Sequence, residues 1–157
     1  MAPPPPKLDP APPAFTNQPT LLFQGTTEPS ALLTVQGGAE PVTGLADAAD
    51  RFSLSVPLAK NTANALLLFA TAAAGDGLTS VPTGITVVHD DRPPTVSITN
   101  PVTGALLRGT IAFTATATDS SGITLVTLKV DGQSLMASNV SPFTTPLDTH
   151  TLTDGAY

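Results

Sequence analysis

Hydrophobic and polar positions alternate in short runs along most of this chain, and turn-forming residues separate the runs. The sharpest run is RFSLSVPL, where Phe52, Leu54, Val56 and Leu58 fall on one face and Arg51, Ser53 and Ser55 on the other. Successive side chains of a strand point to opposite faces, so a period of two predicts half-buried β-structure here. TLLFQGTTEPSALLTVQGG predicts two strands around the TTEPS turn, with Gly37 and Gly38 closing the second, and TGITVVHD predicts another. After Pro93 the pattern restarts. Val96 and Ile98 are in phase in TVSIT; Ile111, Phe113, Ala115 and Ala117 alternate with threonines in IAFTATATD; Val126, Leu128 and Val130 share a face in ITLVTLKVDG. Asp131-Gly132 suits a tight hairpin turn. SPFTTPLDTHTLTDGAY supplies at least one further strand, confined to a sheet edge by its prolines.

One segment pulls the other way. NTANALLLFATAAA is rich in helix formers and carries an Asn or Thr that could cap a helix. Its length before Gly75 and its strand-like neighbours on both sides nevertheless predict a strand, because tertiary context overrides propensity.

Composition reinforces the β reading. Charged residues are 11% of the chain and there are 17 prolines, a mixture that suits strands and turns better than long surface helices. The proline-dense APPPPKLDPAPP favours extended polyproline II backbone, so residues 1–13 are expected to be a semi-rigid linker. PPAFTNQP at 12–19 and PPTVSITNP at 93–101 open alike, which sets a period of 81 residues (93 − 12). Two antiparallel β-sandwiches in tandem follow, over 14–91 and 92–157. Measured against that period the second stops roughly two strands short of a full sandwich, so the chain is expected to be cut inside its second domain.

GTTEPSALLTVQGG, DAADRFSLSVPLA and TGITVVHDDRPP together resemble a bacterial immunoglobulin-like (Big-type) repeat. The second half, from PPTVSITNP through IAFTATATDSSGITLVTLKVDG to DGAY, is similar to another bacterial immunoglobulin-like type. Two departures stand out: Ser30 replaces the usual glycine after Glu28-Pro29, and ADAAD lacks the usual glycine before Phe52. The resemblance implies an immunoglobulin-like fold for both halves, with Phe52, Leu54 and Val56 in the first core and Phe113, Val126 and Leu128 in the second. It says little about task, since such modules serve as spacers, adhesive tips and enzyme accessories.

Charge and chemistry then narrow the classes. A net charge of −6 with six scattered cations argues against nucleic acid and against anionic membrane surfaces. The chain has no cysteine, so neither a disulfide nor a zinc–thiolate site can form. ANALLLFATAAA is shorter than the roughly 20 residues needed to cross a bilayer, and MAPPPPKLDP shows no signal-peptide core. There is no Gly-x-Ser-x-Gly turn, and the two histidines, His89 and His150, lie in different halves, each expected at the surface. No glycine-rich segment leads into Lys and a helix, which excludes a P-loop. Without tryptophan, and with a single tyrosine, the chain is poor in the aromatic platforms that sugars stack on. No enzyme is expected.

HDDRPPTV, at 89–96, is where two adjacent carboxylates meet a histidine. Asp90 and Asp91 are the candidate metal ligands, for calcium between the two sandwiches, with Glu28, Asp76 and Asp119 the nearest acids in type. The plainer reading, preferred here, is a joint: the aspartates are solvated where the chain leaves one sandwich, and Pro93-Pro94 restrict the entry to the next. The expected function is a non-catalytic structural module that spaces or presents neighbouring domains of a larger bacterial surface or secreted protein. The alternatives are a ligand- or carbohydrate-binding accessory module of a secreted enzyme and an adhesin repeat with a protein partner. Expected localisation is extracellular or at the cell surface.

Overall fold

The alternation in RFSLSVP is realised as a strand whose Phe52, Leu54 and Val56 are buried while Arg51, Ser53 and Ser55 are exposed. The computed structural model describes residues 1–73 and 77–155. It divides into two compact units, Met1–Asp91 and Arg92–Tyr157. The described residues are all-β apart from one short 3-10 turn, Thr149–Thr151.

Among the described residues eight strands build the first unit: β1 (Lys7–Leu8), β2 (Phe15–Thr16), β3 (Thr20–Thr26), β4 (Leu32–Gln36), β5 (Val42–Leu45), β6 (Arg51–Pro57), β7 (Thr62–Thr71) and β8 (Thr83–His89). One sheet has the order β1-β3-β6 and the other β2-β8-β7-β4-β5. Among the described residues these strands pair antiparallel except for the parallel β2–β8 pair. The two inner faces meet in a core of Phe23, Leu33, Val35, Phe52, Leu54, Val56, Leu66, Leu68 and Val87. Burying each such side chain contributes about 1.5–3 kcal/mol before conformational entropy is set against it.

The helix-prone segment is the strand β7. Asn64, Leu66, Leu68 and Ala70 are buried in alternation, and the strand pairs on both sides, with β4 and with β8. Two ladders of backbone hydrogen bonds and a filled inner face outweigh a helix propensity worth tenths of a kcal/mol per residue. Gly37 follows β4 with φ +92°, and a Cβ there would run into the Ala65 carbonyl, so glycine alone fits that turn.

The proline-rich start, expected as a semi-rigid linker, packs in part on the first sandwich. Pro6 is buried, Lys7 and Leu8 pair with Thr26 and Gly25, and Asp9 N–H donates to the Gln24 carbonyl at 2.9 Å. Thr83 Oγ1 also donates to the Pro6 carbonyl at 2.5 Å. Lys7, Leu8 and Asp9 interrupt the prolines with three N–H donors, and the side of β3 away from β6 offers them partners. Gly25 lets the segment close in, since a Cβ there would collide with the Lys7 carbonyl.

The second unit has β9 (Thr95–Asn100), β10 (Thr110–Thr118), β11 (Val126–Val130), β12 (Gln133–Ser138) and β13 (Phe143–Asp148). Its sheets are β13-β10-β9 and β11-β12. Phe113, Ala115, Ala117, Val126, Leu128, Phe143 and Leu147 form its core, as the alternation predicts. Asp131 (φ 48°) and Gly132 (φ 78°) make the two-residue turn between β11 and β12, both in the left-handed region that such a hairpin turn requires. The proline-bearing β13 lies at a sheet edge. The fold is therefore two tandem immunoglobulin-like antiparallel β-sandwiches.

β9 differs from expectation. Val96 and Ile98 keep their alternation, yet each is 57% exposed. They lie opposite Ala117 and Ala115 on β10, both of which are buried. Cross-strand partners share a face of the sheet. The two side chains thus point to the core side and find it uncovered.

Candidate functional site

The candidate site is built where the first sandwich ends. β8 brings His89 between Thr62 of β7 and Thr16 of β2, so its backbone is paired on both sides. Its side chain is buried at 1% exposure, which corrects the expected surface histidine. The reason is the neighbouring connection: residues 58–61 turn from β6 into β7 directly beside the last residue of β8.

That connection is held by two asparagines. Asn64 is buried and braces it from within, its Oδ1 accepting from Ala59 N–H at 2.7 Å and its Nδ2 donating to the carbonyls of Ala59 and Thr62 at 3.0 and 3.2 Å. Asn61 sits at φ 53°, a left-handed conformation that asparagine tolerates better than most residues. From there its backbone N–H donates to His89 Nδ1 at 3.1 Å and its Oδ1 accepts from Asp91 N–H at 3.0 Å. A ring nitrogen that accepts carries no hydrogen, so the neutral His89 ring carries its hydrogen on Nε2. Nε2 is buried and has no hydrogen-bond partner among the described residues.

The aspartates complete the closure through their backbones. Asp90 N–H donates to the Thr16 carbonyl at 2.9 Å, next to the bond from Val88 N–H to the Ala14 carbonyl, also 2.9 Å. Asp90 is 9% exposed and Asp91 is exposed. The acids proposed to join them are not gathered here. Glu28 follows the far end of β3, whose first residue pairs with the end of β6, so a strand of about 20 Å separates it from the 58–61 connection. Asp119 belongs to the second unit and caps its own turn, accepting from Ser121 N–H at 2.8 Å and Ser121 Oγ at 2.5 Å. Asp76 lies outside the described residues. Among the described residues no group of three or more His, Asp or Glu is placed to hold a metal.

Two other features carry polar chemistry. An open groove of about 840 Å³ in the first unit is lined by Asp9, Gln24, Asp47, Arg51 and Phe52 among others. Asp47 serves local structure there, its Oδ1 accepting from Ala49 and Arg51 N–H at 2.9 and 2.8 Å. In the second unit, exposed His150 donates its backbone N–H to Asp148 Oδ1 at 3.0 Å, with its ring Nδ1 2.8 Å from the same oxygen. The backbone bond first, then the ring bond and the imidazole's charge, hold the Asp148 carboxyl below its ordinary value.

Sequence reasoning pointed at His89, Asp90 and Asp91 and missed Asn61, the residue that ties two of them down. The available signal was Lys60-Asn61-Thr62 between two strands, where asparagine marks a tight turn.

Against known proteins, residues 94–157 match the family model described as Bacterial Ig domain. A solved structure of Clostridium thermocellum CbhA fibronectin(III)-like modules is similar over 91% of this chain and 78% of its own, at 22% identity and a TM-score of 0.44. That likeness is too loose to say anything further about this chain. A comparison with curated proteins gave no match.

Proposed function

Starting from a bacterial Ig domain over residues 94–157, we propose that this chain is a non-catalytic spacer, carrying load between neighbouring domains of a larger exported bacterial protein. The observation that supports this reading is the parallel pair that β2, the second strand of the first sandwich, makes with its last strand, β8. Once the short β1–β3 pairing has given way, tension entering through β2 and leaving through β8 pulls the two neighbours in opposite directions. Their bonds, Val88 to Ala14 and Asp90 to Thr16, are then loaded in shear together instead of opening one at a time. Asn61 adds a further fastening just past the end of β8, through Asp91. The adjacent His89, Asp90 and Asp91 are thus accounted for as the closure of a sandwich.

Stretching the full chain between two handles tests this. The spacer reading expects a discrete rupture for the first unit, at a force that falls when Asn61 is replaced by glycine. Smooth extension without a rupture would sink it. A calcium titration belongs beside that measurement, because a rise in melting temperature with calcium would give Asp90 and Asp91 a ligand role instead. A saturable hit on a glycan array would move the reading to a binding accessory module.

A further inference from the structure

The five-stranded sheet of the first unit has an outer face without formal charge. None of β2, β8, β7, β4 and β5 contains Asp, Glu, Lys or Arg, and His89 at the end of β8 is buried on the inner side. Alternation turns Leu66, Leu68 and Ala70 of β7 inward, so Ala65, Leu67 and Phe69 point outward. Register then gathers apolar neighbours on that side. Leu32 stands opposite Leu45, and Phe15 stands opposite Val88. Leu67 is 41% exposed and Phe15 51%. The outer face of the other sheet is polar by comparison: across β3 and β6, Leu22 lies opposite Ser55, Gln24 opposite Ser53 and Thr26 opposite Arg51.

A glycine within this face is a second, independent observation. Gly84 lies opposite Leu67 in the β7–β8 ladder, whose register runs without a shift, so it marks no bulge. Its backbone is not left-handed, and an added Cβ would come no nearer than 3.9 Å to Leu67 Cδ2, an ordinary contact. No described atom therefore requires glycine at this position, although glycine weakens a strand. The remaining reason for glycine in a strand is the close approach of another surface.

We propose that this face is where two copies of the chain pack together, sheet on sheet, about a two-fold axis passing between Leu67 and Gly84. In a two-fold interface a surface meets itself, so Leu67 of each copy enters the notch over Gly84 of the other. Two arguments select a second copy as the occupant. The first is charge. A charged surface would lose the hydration of its charges against a face that offers no counter-charge, whereas a second copy brings a face with none to lose. With a net charge of −6 per chain, approach is also least opposed across the neutral face. The second is area. Five strands span about 24 Å and seven residues run about 24 Å, so a pair buries roughly 1,100 Å² in total, just above the ~1,000 Å² of a specific interface. The inference is independent of the spacer reading.

The test measures self-association of the full chain by sedimentation equilibrium at several salt concentrations. A reversible dimer is expected, with a Kd weaker than about 1 µM for so small an interface. It is expected to tighten as salt screens the repulsion between two acidic chains. Leu67→Lys and Gly84→Lys are each expected to weaken it by about tenfold or more, because each puts an unpaired charge into the contact. Leu22→Lys changes the net charge equally but lies on the outer face of the other sheet, and is expected to leave the dimer unchanged. Melting temperatures establish that each variant folds. Gly84→Ala, whose Cβ the chain itself accommodates, replaces a lysine variant that does not fold, and is expected to weaken the dimer without lowering the melting temperature. A chain that stays monomeric overturns the proposal, as does a dimer that loosens with salt or that a folded variant at Leu67 or Gly84 leaves unchanged. Equal weakening by Leu22→Lys overturns it as well, since the contact would then not be specific to this face.

Discussion

Asn61 and His89 are 28 residues apart in the chain and joined by a hydrogen bond from the backbone of one to the ring of the other, 3.1 Å long. The same asparagine accepts from Asp91. One turn residue thereby fastens the final strand of the first sandwich on both sides of Asp90, and the strength of that fastening can be measured.

Asn61→Gly keeps the left-handed backbone and removes the side-chain acceptor. It is expected to destabilise the first unit by about 0.5–1.5 kcal/mol, the usual worth of one hydrogen bond. Asn61→Ala loses the same bond and adds roughly 1 kcal/mol of strain, because alanine resists positive φ. Chemical denaturation of both variants checks the ordering. Wild-type stability in the glycine variant would show that the contact to Asp91 contributes nothing.

His89 is expected to carry its ring hydrogen on Nε2, with Nδ1 as the acceptor. Long-range ¹H–¹⁵N spectra of the folded chain distinguish the two nitrogens directly. A ring with hydrogen on Nδ1 would contradict the bond from Asn61.

Leu66 and Ile98 occupy equivalent phases of alternating strands but differ in burial, at 0% and 57% exposure. Leu66→Ala is expected to cost about 2–5 kcal/mol, through lost burial and the cavity left behind. Ile98→Ala should cost less than about 1 kcal/mol, since little apolar surface leaves the core. Native-state hydrogen exchange should follow the same division, with β6 and β7 the most protected strands and β9 among the least. Equal protection in the two units would contradict the uncovered face of β9.

Asp148 introduces a pH dependence whose sign follows from its environment. Its folded-state carboxyl titrates below the ordinary value of 3.8, because it accepts from the His150 backbone and ring. Its contribution to stability is therefore complete above that ordinary value and disappears as pH falls through the lower, folded one. The stability difference between wild type and Asp148→Ala should shrink below about pH 4, read from denaturant midpoints at successive pH values. A difference that grows on acidification would show the opposite shift.

Much of this architecture is legible from residue order because a strand states its own periodicity. Phe52, Leu54 and Val56, or Phe113, Ala115 and Ala117, announce which face turns inward, and Asp131-Gly132 announces a hairpin. β7 was the harder case, resolved by its neighbours and not by its own composition. The alternation of Val96 and Ile98 correctly marks a core-facing side, but cannot say whether anything lies opposite. That depends on strands distant in sequence. Burial of His89 is likewise set by Asn61 and the 58–61 connection, and β1 forms because β3 has a free edge within reach of Lys7 and Leu8. Sequence by itself determined the strands, their inward faces and their turns, which are local consequences of side-chain pattern and backbone preference. Only the tertiary structure decided which faces are covered, and that His89 is buried behind the 58–61 connection, because those depend on long-range pairing that no local pattern encodes.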